Sequence, residues 1–143
     1  MQNAIFAAAM RNFFKGWWLP ILVFGACTNG YPEAQDGLDC GRQFIGAIFN
    51  GNFKRARQLT LPDETNLKIL ENKLEKDFSN RSSLDKERLS QASIVINEVS
   101  PVNDSVVIIN FLNSYDSLPT ILKVVKWQGQ WLTDLKYTYN GNF

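Results

Sequence analysis

Few residues of this chain are suited to catalysis or to metal binding. The sequence has no histidine, and histidine is both the commonest general base and the commonest metal ligand. Its two cysteines, Cys27 and Cys40, are too few for a zinc site without histidine. Cys40 also lacks a histidine partner that could activate it as a nucleophile. We therefore predict no catalytic residue, no metal site and no cofactor.

Three carboxylates fall on or beside predicted strands, and each could be an acid in a pocket. Asp104 belongs to a predicted turn, and Asp134 alternates with Leu135, so we expect Asp134 to face solvent. Glu98 remains a candidate pocket acid, and a solvated charge on an edge strand is the alternative.

Two further groups of side chains could bind a ligand or a surface. The aromatic residues Trp127, Trp131 and Tyr137 could line a ligand cavity, or they could pack across a hairpin. Trp127 and Trp131 flank Gln128-Gly129, and we expect them to face one another across that turn. A basic cluster of Lys54, Arg55 and Arg57 could face anionic lipid headgroups, or it could be an ordinary solvated helix face.

The elements that position these residues begin after an apolar run, "GWWLPILVFGA", at residues 16–26. As a helix it would be about 16 Å long, too short for a hydrocarbon core of about 30 Å. Arg11 and Lys15 precede it and small residues close it, which is typical of a secretory signal. The stretch "FGAC" resembles a bacterial lipobox, whose cysteine is acylated. We predict a signal peptide at residues 1–26 and a lipidated Cys27.

Residues 27–35 would then be a tether between the lipid and the domain. The alternatives are an ordinary cleaved signal or an uncleaved anchor. Acylated Cys27 would leave Cys40 as a lone thiol in an oxidising compartment, which predicts its burial; a Cys27–Cys40 disulfide is the alternative. Residues 1–9 carry no positive charge, and we hypothesise that Met10 is the true start.

Residues 36–143 form one predicted domain with helices first and strands after them. Asp36 is the predicted cap of the first helix, Asn50-Gly51 ends it, and Thr60 is the predicted cap of the third helix. After Ser90 the apolar period changes from 3.6 to 2. The predicted helices cover residues 36–50, 53–59, 60–78 and 84–89, and the predicted strands 93–99, 106–112, 120–127 and 131–139. This order predicts an α+β fold in which N-terminal helices pack on a curled four-stranded antiparallel sheet.

Two motifs give the domain a more specific resemblance. The segment "GRQFIGAIFNGNFKRARQL" and the ending "VVKWQGQWLTDLKY" resemble small bacterial (Bacteroidetes-type) lipoproteins of unknown function with a nuclear-transport-factor-like, cystatin-like cone fold. The matching positions are Asn50, Gly51, Phe53, Ala56, Gly129, Trp131, Leu132 and Leu135, and the resemblance covers residues 36–139. It implies a cavity between sheet and helices. The acidic export tag that often follows the lipidated cysteine there is missing, which favours a periplasm-facing position over the cell surface.

The net charge and the predicted cellular location together limit the possible functions. A formal net charge of +1 predicts no nucleic-acid partner. We expect a protein of the bacterial cell envelope, attached to the lipid bilayer through acylated Cys27, that acts as a non-catalytic binding or interaction module for an unknown protein or small molecule. The alternative is a small-ligand carrier or enzyme that uses the cavity. The two differ in whether side chains such as Phe44, Phe78 and Trp127 fill that cavity.

Overall fold

The structure, a computed structural model, describes residues 30–139. Helices come first and an antiparallel sheet follows, so the predicted α+β class is confirmed. In chain order the elements are α1 (Gly37–Phe49), α2 (Phe53–Gln58), α3 (Glu64–Ile69), a π-helical segment (Leu70–Glu75), α4 (Lys76–Ser79), α5 (Ser83–Ser90), β1 (Ile94–Asn103), β2 (Val106–Asn113), β3 (Thr120–Trp127), β4 (Gln130–Asp134) and α6 (Leu135–Tyr139).

The four strands pair in sequence order, β1-β2-β3-β4, and every pair is antiparallel. In the register, Ile109 lies opposite Leu122, and Val124 lies opposite Thr133. β1 is an edge strand with two irregularities in its register, and it continues through Pro101. Proline has no backbone N–H, and an edge strand tolerates it where that N–H would face away from the sheet. The sheet is not strongly curled, so it departs from the strongly cone-shaped sheet that we expected.

α1 packs on one face of the sheet and carries much of the core. Its start is as predicted, because the Asp36 side chain accepts a hydrogen bond from the backbone N–H of Asp39 at 2.7 Å. Gly41 faces β2 at very short range, since a Cβ there would lie 2.3 Å from Cδ1 of Ile109. The core between α1 and the sheet consists of buried apolar side chains, among them Cys40, Phe44, Ile45, Ala56, Leu59, Leu70, Ile109, Phe111, Leu122, Val124 and Leu135.

The predicted start of the third helix at Thr60 is wrong. Asp63 is the cap, and its side chain accepts from the backbone N–H of Asn66 at 3.0 Å. Thr60 instead forms a β-bridge with Thr133 of β4. Both residues are buried, and the bridge gives the backbone groups around them hydrogen-bond partners. Burial acts to raise the pKa of Asp63, but hydrogen bonds from Asn66 and from the Lys136 ammonium outweigh it and lower that pKa.

The predicted fourth strand, residues 131–139, is also wrong in its second half. β4 ends at Asp134, and α6 follows at once. The fully buried side chain of Asn66 explains the change, because its Oδ1 accepts from the backbone N–H groups of Leu135 at 2.7 Å and Lys136 at 3.1 Å. These are the first two N–H groups of α6, which have no partner within the helix.

Asn50 and Gly51 end α1 as predicted. Gly51 has a positive φ of 67°, and the backbone N–H of Asn52 returns to the carbonyl of Ala47 at 2.8 Å. A Cβ on Gly51 would also lie 2.5 Å from the ring of Phe78. Within residues 30–139, no helix has the length and apolar character needed to cross a bilayer.

Candidate functional site

An open cavity lies between the C-terminal half of α1, the π-helical segment with α4, and the ends of β2 and β3. Its volume is about 220 Å³. The wall from α1 is apolar, and the sheet contributes Phe111 together with the polar residues Asn113 and Thr120. The lining residues are Phe44, Ile45, Ile48, Phe49, Lys73, Leu74, Asp77, Phe78, Arg81, Leu89, Phe111, Asn113, Asp116, Thr120 and Tyr139.

Phe44 and Phe78, which we named as side chains that could fill the cavity, line it and leave it open. Phe78 is held to the side by Phe53, with the two ring centroids 5.6 Å apart in an edge-to-face arrangement. Trp127, the third residue of that group, does not contribute to the lining. The space between sheet and helices is therefore available to a ligand.

The π-helical segment supplies one wall of the cavity. It presents Lys73 and Leu74 to the cavity, and α4 continues the wall with Asp77 and Phe78. A π-helical turn is wider than an α-helical turn and is seldom formed without a local reason; such turns occur frequently at functional sites. This placement marks the cavity as the candidate site of the domain.

Tyr139 closes the cavity from the C-terminal side. The Lys73 ammonium lies 4.3 Å from the centroid of the Tyr139 ring, a cation–π contact. Burial raises the pKa of the Tyr139 phenol to about 12, and the nearby Asp77 carboxylate acts in the same direction. The phenol therefore keeps its proton at neutral pH and can donate a hydrogen bond into the cavity.

The polar rim beside β2 and β3 is largely occupied by its own hydrogen bonds. Asp116 Oδ1 accepts from Asn113 Nδ2 at 2.8 Å and from the backbone N–H of Leu118 at 3.0 Å. Asn113 Oδ1 accepts from the backbone N–H groups of Tyr115 and Asp116, both at 2.9 Å. These hydrogen bonds lie within the turn after β2, so this part of the rim offers few free polar groups to a ligand.

The aromatic residues predicted from the sequence do not meet in one groove. Trp127 lies opposite Gln130 and Trp131 lies opposite Lys126, so the two tryptophans point to opposite faces of the hairpin, and the expectation that they face one another is wrong. Trp127 is 41% exposed, whereas Trp131 packs against the core below Gly37. Tyr137 belongs to α6, and its ring lies 5.6 Å from the Lys123 ammonium.

The basic residues of α2 have three different surroundings. Lys54 is exposed, and Arg57 forms an ion pair with Glu71. Arg55 contacts the chain that leads into the domain: its guanidinium donates to the carbonyl of Pro32 at 2.6 Å and lies 5.1 Å from the Tyr31 ring centroid. The end of the predicted tether is thus held against α2, while its beginning, with Cys27, lies outside the described residues.

The predicted acids lie away from the cavity. Glu98 is exposed on β1 and accepts from Ser100 Oγ at 2.8 Å, and Asp104 is exposed in the turn after β1. Asp134 was expected to face solvent, but only 14% of its side chain is exposed. It lies directly opposite Lys123 on β3, with a carboxylate-to-ammonium distance of 3.5 Å. That cross-strand pair covers the carboxylate.

Cys40 is a free thiol and fully buried, as expected for a lone cysteine. Its Sγ lies 3.1 Å from the carbonyl oxygen of Trp131, which accepts the S–H. Burial raises the pKa of the Cys40 thiol to about 12. The side chain therefore behaves as a small core residue; the alternative of a disulfide to Cys27 involves a residue outside the described ones.

Sequence reasoning missed the charged residues of the cavity. Lys73, Asp77 and Arg81 follow one another at intervals of four residues, beside the predicted apolar stripe of Leu70, Leu74 and Phe78. That spacing places them on one side of a helix and could have drawn attention to them. Tyr139 was missed because the strand was predicted to continue through it.

Comparison of the chain with protein-family models, with curated proteins and with solved structures finds no match to any of them. Within residues 30–139, no group of three or more cysteine, aspartate or glutamate side chains is arranged to hold a metal ion.

Proposed function

We propose that this protein is a non-catalytic binding module that takes a small, largely apolar ligand into the cavity beside α1. The single observation that carries the proposal is the open volume of about 220 Å³ between sheet and helices, with an apolar wall from α1 and polar and charged groups on its other sides. Ligand sites have this composition in general, since apolar walls supply affinity and a few polar groups fix orientation. Of our two expectations, an open cavity favours the small-ligand binder over a protein-interaction module with a filled core.

Binding rather than catalysis is favoured by the state of the groups that could react. Tyr139, the titratable group most enclosed by the cavity, has a pKa of about 12 and is a poor general base at neutral pH. Cys40 is enclosed in the core with a similarly raised pKa. Neither residue has the lowered or near-neutral pKa that acid–base or nucleophilic catalysis calls for.

We further propose that the module is a small bacterial lipoprotein with a shallow cone-like domain. The apolar run before Cys27 and the stretch "FGAC" support the lipid anchor. The order of helices before four antiparallel strands supports the resemblance to the cone fold, and because the sheet is not strongly curled the proposed cone is shallow. In this proposal residues 27–35 join the acylated cysteine to the domain, which faces the periplasm.

A cavity-filling substitution tests the binding function. Ile48→Phe adds bulk to the cavity wall, and Leu84→Phe makes the same type of change at an exposed position of α5. With the full-length chain in lipid nanodiscs, we expect saturation-transfer NMR to detect the small aromatic probe indole on the wild type and on Leu84→Phe. The signal should be lost in Ile48→Phe. Equal signals from all three proteins would remove the cavity as the binding site.

The lipid anchor has its own test. Metabolic labelling with a fatty-acid analogue should mark the wild-type protein and leave Cys27→Ala unmarked. Fractionation should place the labelled protein in the cell-envelope membranes. Unlabelled wild-type protein, or a mature chain that retains Trp17 and Trp18, would contradict the proposed anchor and leave the cavity proposal untouched.

A further inference from the structure

The free polar groups of the cavity are mainly hydrogen-bond donors. Lys73, Arg81 and Tyr139 line it, and among the described residues no side chain or backbone atom accepts a hydrogen bond from the Lys73 ammonium, the Arg81 guanidinium or the Tyr139 hydroxyl. The acceptors of Asp116 and Asn113 are already used within their turn. Asp77 is the one carboxylate of the described lining without a hydrogen-bond or ion-pair partner of its own.

Two of the donors lie close together. The Lys73 ammonium is 4.3 Å from the centroid of the Tyr139 ring, so an acceptor that enters the cavity beside this ring can meet both the ammonium and the hydroxyl. Arg81 lines the same cavity just after α4. A ligand acceptor placed beside Tyr139 would therefore receive a charge-assisted hydrogen bond from the exposed Lys73 ammonium and a second hydrogen bond from the half-buried phenol.

The size and the walls of the cavity limit the rest of the ligand. An apolar cavity of about 150 Å³ accommodates benzene, whereas pockets for drug-sized ligands begin at about 300 Å³. The volume here, about 220 Å³, fits one aromatic ring with a short polar substituent. The rings of Phe44, Phe78 and Phe111 form walls against which an aromatic ring can pack edge-to-face.

We propose that the ligand is a small aromatic monocarboxylate, with its ring among Phe44, Phe78 and Phe111 and its carboxylate held by Lys73 and Tyr139. This inference rests on the proposed small-ligand function and adds the chemical class of the ligand. Asp77 is a carboxylate near the same phenol, so it opposes an anionic ligand and would favour an amine. The sign of the effect of Asp77 on affinity therefore distinguishes the two ligand types.

The experiment compares three matched probes on the full-length chain in lipid nanodiscs by isothermal titration calorimetry, with empty nanodiscs subtracted. The probes are phenylacetate, the neutral phenylacetamide and the cationic phenethylamine. We expect phenylacetate to bind at least about tenfold more tightly than either of the others, because only its carboxylate pairs as an anion with the Lys73 ammonium, whereas the amide is neutral and the amine is repelled by that ammonium. Lys73→Gln should weaken phenylacetate about tenfold or more, and Tyr139→Phe should weaken it several-fold.

Two substitutions keep the result interpretable. Lys76→Gln, an exposed lysine outside the cavity lining, should leave phenylacetate binding unchanged and controls for the loss of one positive charge. Asp77→Asn should tighten phenylacetate binding several-fold, a gain that a misfolded variant cannot give. A melting curve for each variant establishes that it is folded.

Each outcome decides the proposal. Equal or tighter binding of phenylacetamide or phenethylamine, or weaker binding of phenylacetate by Asp77→Asn, would overturn the carboxylate assignment while the cavity remained a small-ligand site. If none of the three probes binds, the aromatic carboxylate is refuted. If indole also shows no binding that depends on the cavity, the proposed function falls with it.

Discussion

Asn66 gives the most direct test of how this fold is held together. Its side chain is fully buried between α3 and the end of β4. Its Oδ1 accepts two backbone hydrogen bonds from the start of α6, from Leu135 at 2.7 Å and from Lys136 at 3.1 Å. Its Nδ2 donates to Asp63 at 2.6 Å. One amide thus joins two helices and the last strand.

Replacing Asn66 with alanine leaves those two backbone N–H groups without an acceptor. Each unsatisfied buried donor costs about 1–3 kcal/mol. The donor on Leu135 is buried and the donor on Lys136 is part-buried, so we expect a total loss of about 2–4 kcal/mol. Alanine recovers less than about 1 kcal/mol through its better helix propensity. Against a typical domain stability of about 5–15 kcal/mol, this is a large fraction.

Urea unfolding followed by far-UV circular dichroism measures the change. With a dependence of about 1–3 kcal/mol per molar urea, the midpoint should fall by roughly 1–3 M. Asn72→Ala is the matched control, since Asn72 is exposed on the π-helical segment; exposed substitutions of this kind change stability by about 0.5 kcal/mol or less. If the two variants unfold at the same urea concentration, the Asn66 side chain does not stabilise the start of α6.

Three further predictions concern packing, reactivity and pH. Gly41→Ala should destabilise the domain by about 1–3 kcal/mol, because the added methyl group would lie 2.3 Å from Cδ1 of the buried Ile109 on β2. Gly46→Ala in the same helix should stabilise the domain by roughly 0.5–1 kcal/mol, because its added methyl group meets nothing within 4 Å. Thermal melts of both variants show whether the two changes in stability have opposite signs. The Cys40 thiol should react with a disulfide reagent far more slowly in the native protein than in urea, as measured by mass spectrometry of its peptide, because burial raises its pKa to about 12; equal rates would contradict its burial. Asp63 has a lowered pKa in the folded state, so its charged form stabilises the fold at pH values above its unfolded pKa of about 3.9. This contribution is lost as pH falls through the lower folded pKa. The difference in unfolding free energy between wild type and Asp63→Asn should therefore shrink below about pH 4, and a difference that does not change with pH would refute this prediction.

Local signals predicted the elements that depend on local interactions. The Asp36 cap and the Asn50-Gly51 stop lie where the sequence indicates, because each acts on backbone groups a few residues away. The change of period after Ser90 predicted the sheet, since alternation of burial is a property of each strand alone. The α+β class followed from these signals.

The errors occur where a distant side chain decides the local structure. The segment from Leu135 to Tyr139 alternates like a strand, but Asn66, almost 70 residues earlier, accepts its first two N–H groups and begins a helix. Thr60 has the chemistry of a helix cap, yet it pairs with Thr133 beside β4. No periodicity in either segment contains that information, because both partners are remote in sequence.

The cavity lies at one end of α1, and residue size differs between the two ends of that helix. In its N-terminal half, Gly37 and Gly41 bring the helix so close to β2 that an added methyl group would overlap Val107 or Ile109. In its C-terminal half, Phe44 and Phe49 line the cavity together with Phe111 on the same strand. A close approach needs glycine, whereas large rings keep neighbouring backbones apart. We therefore expect the open space to depend on how α1 packs against the sheet.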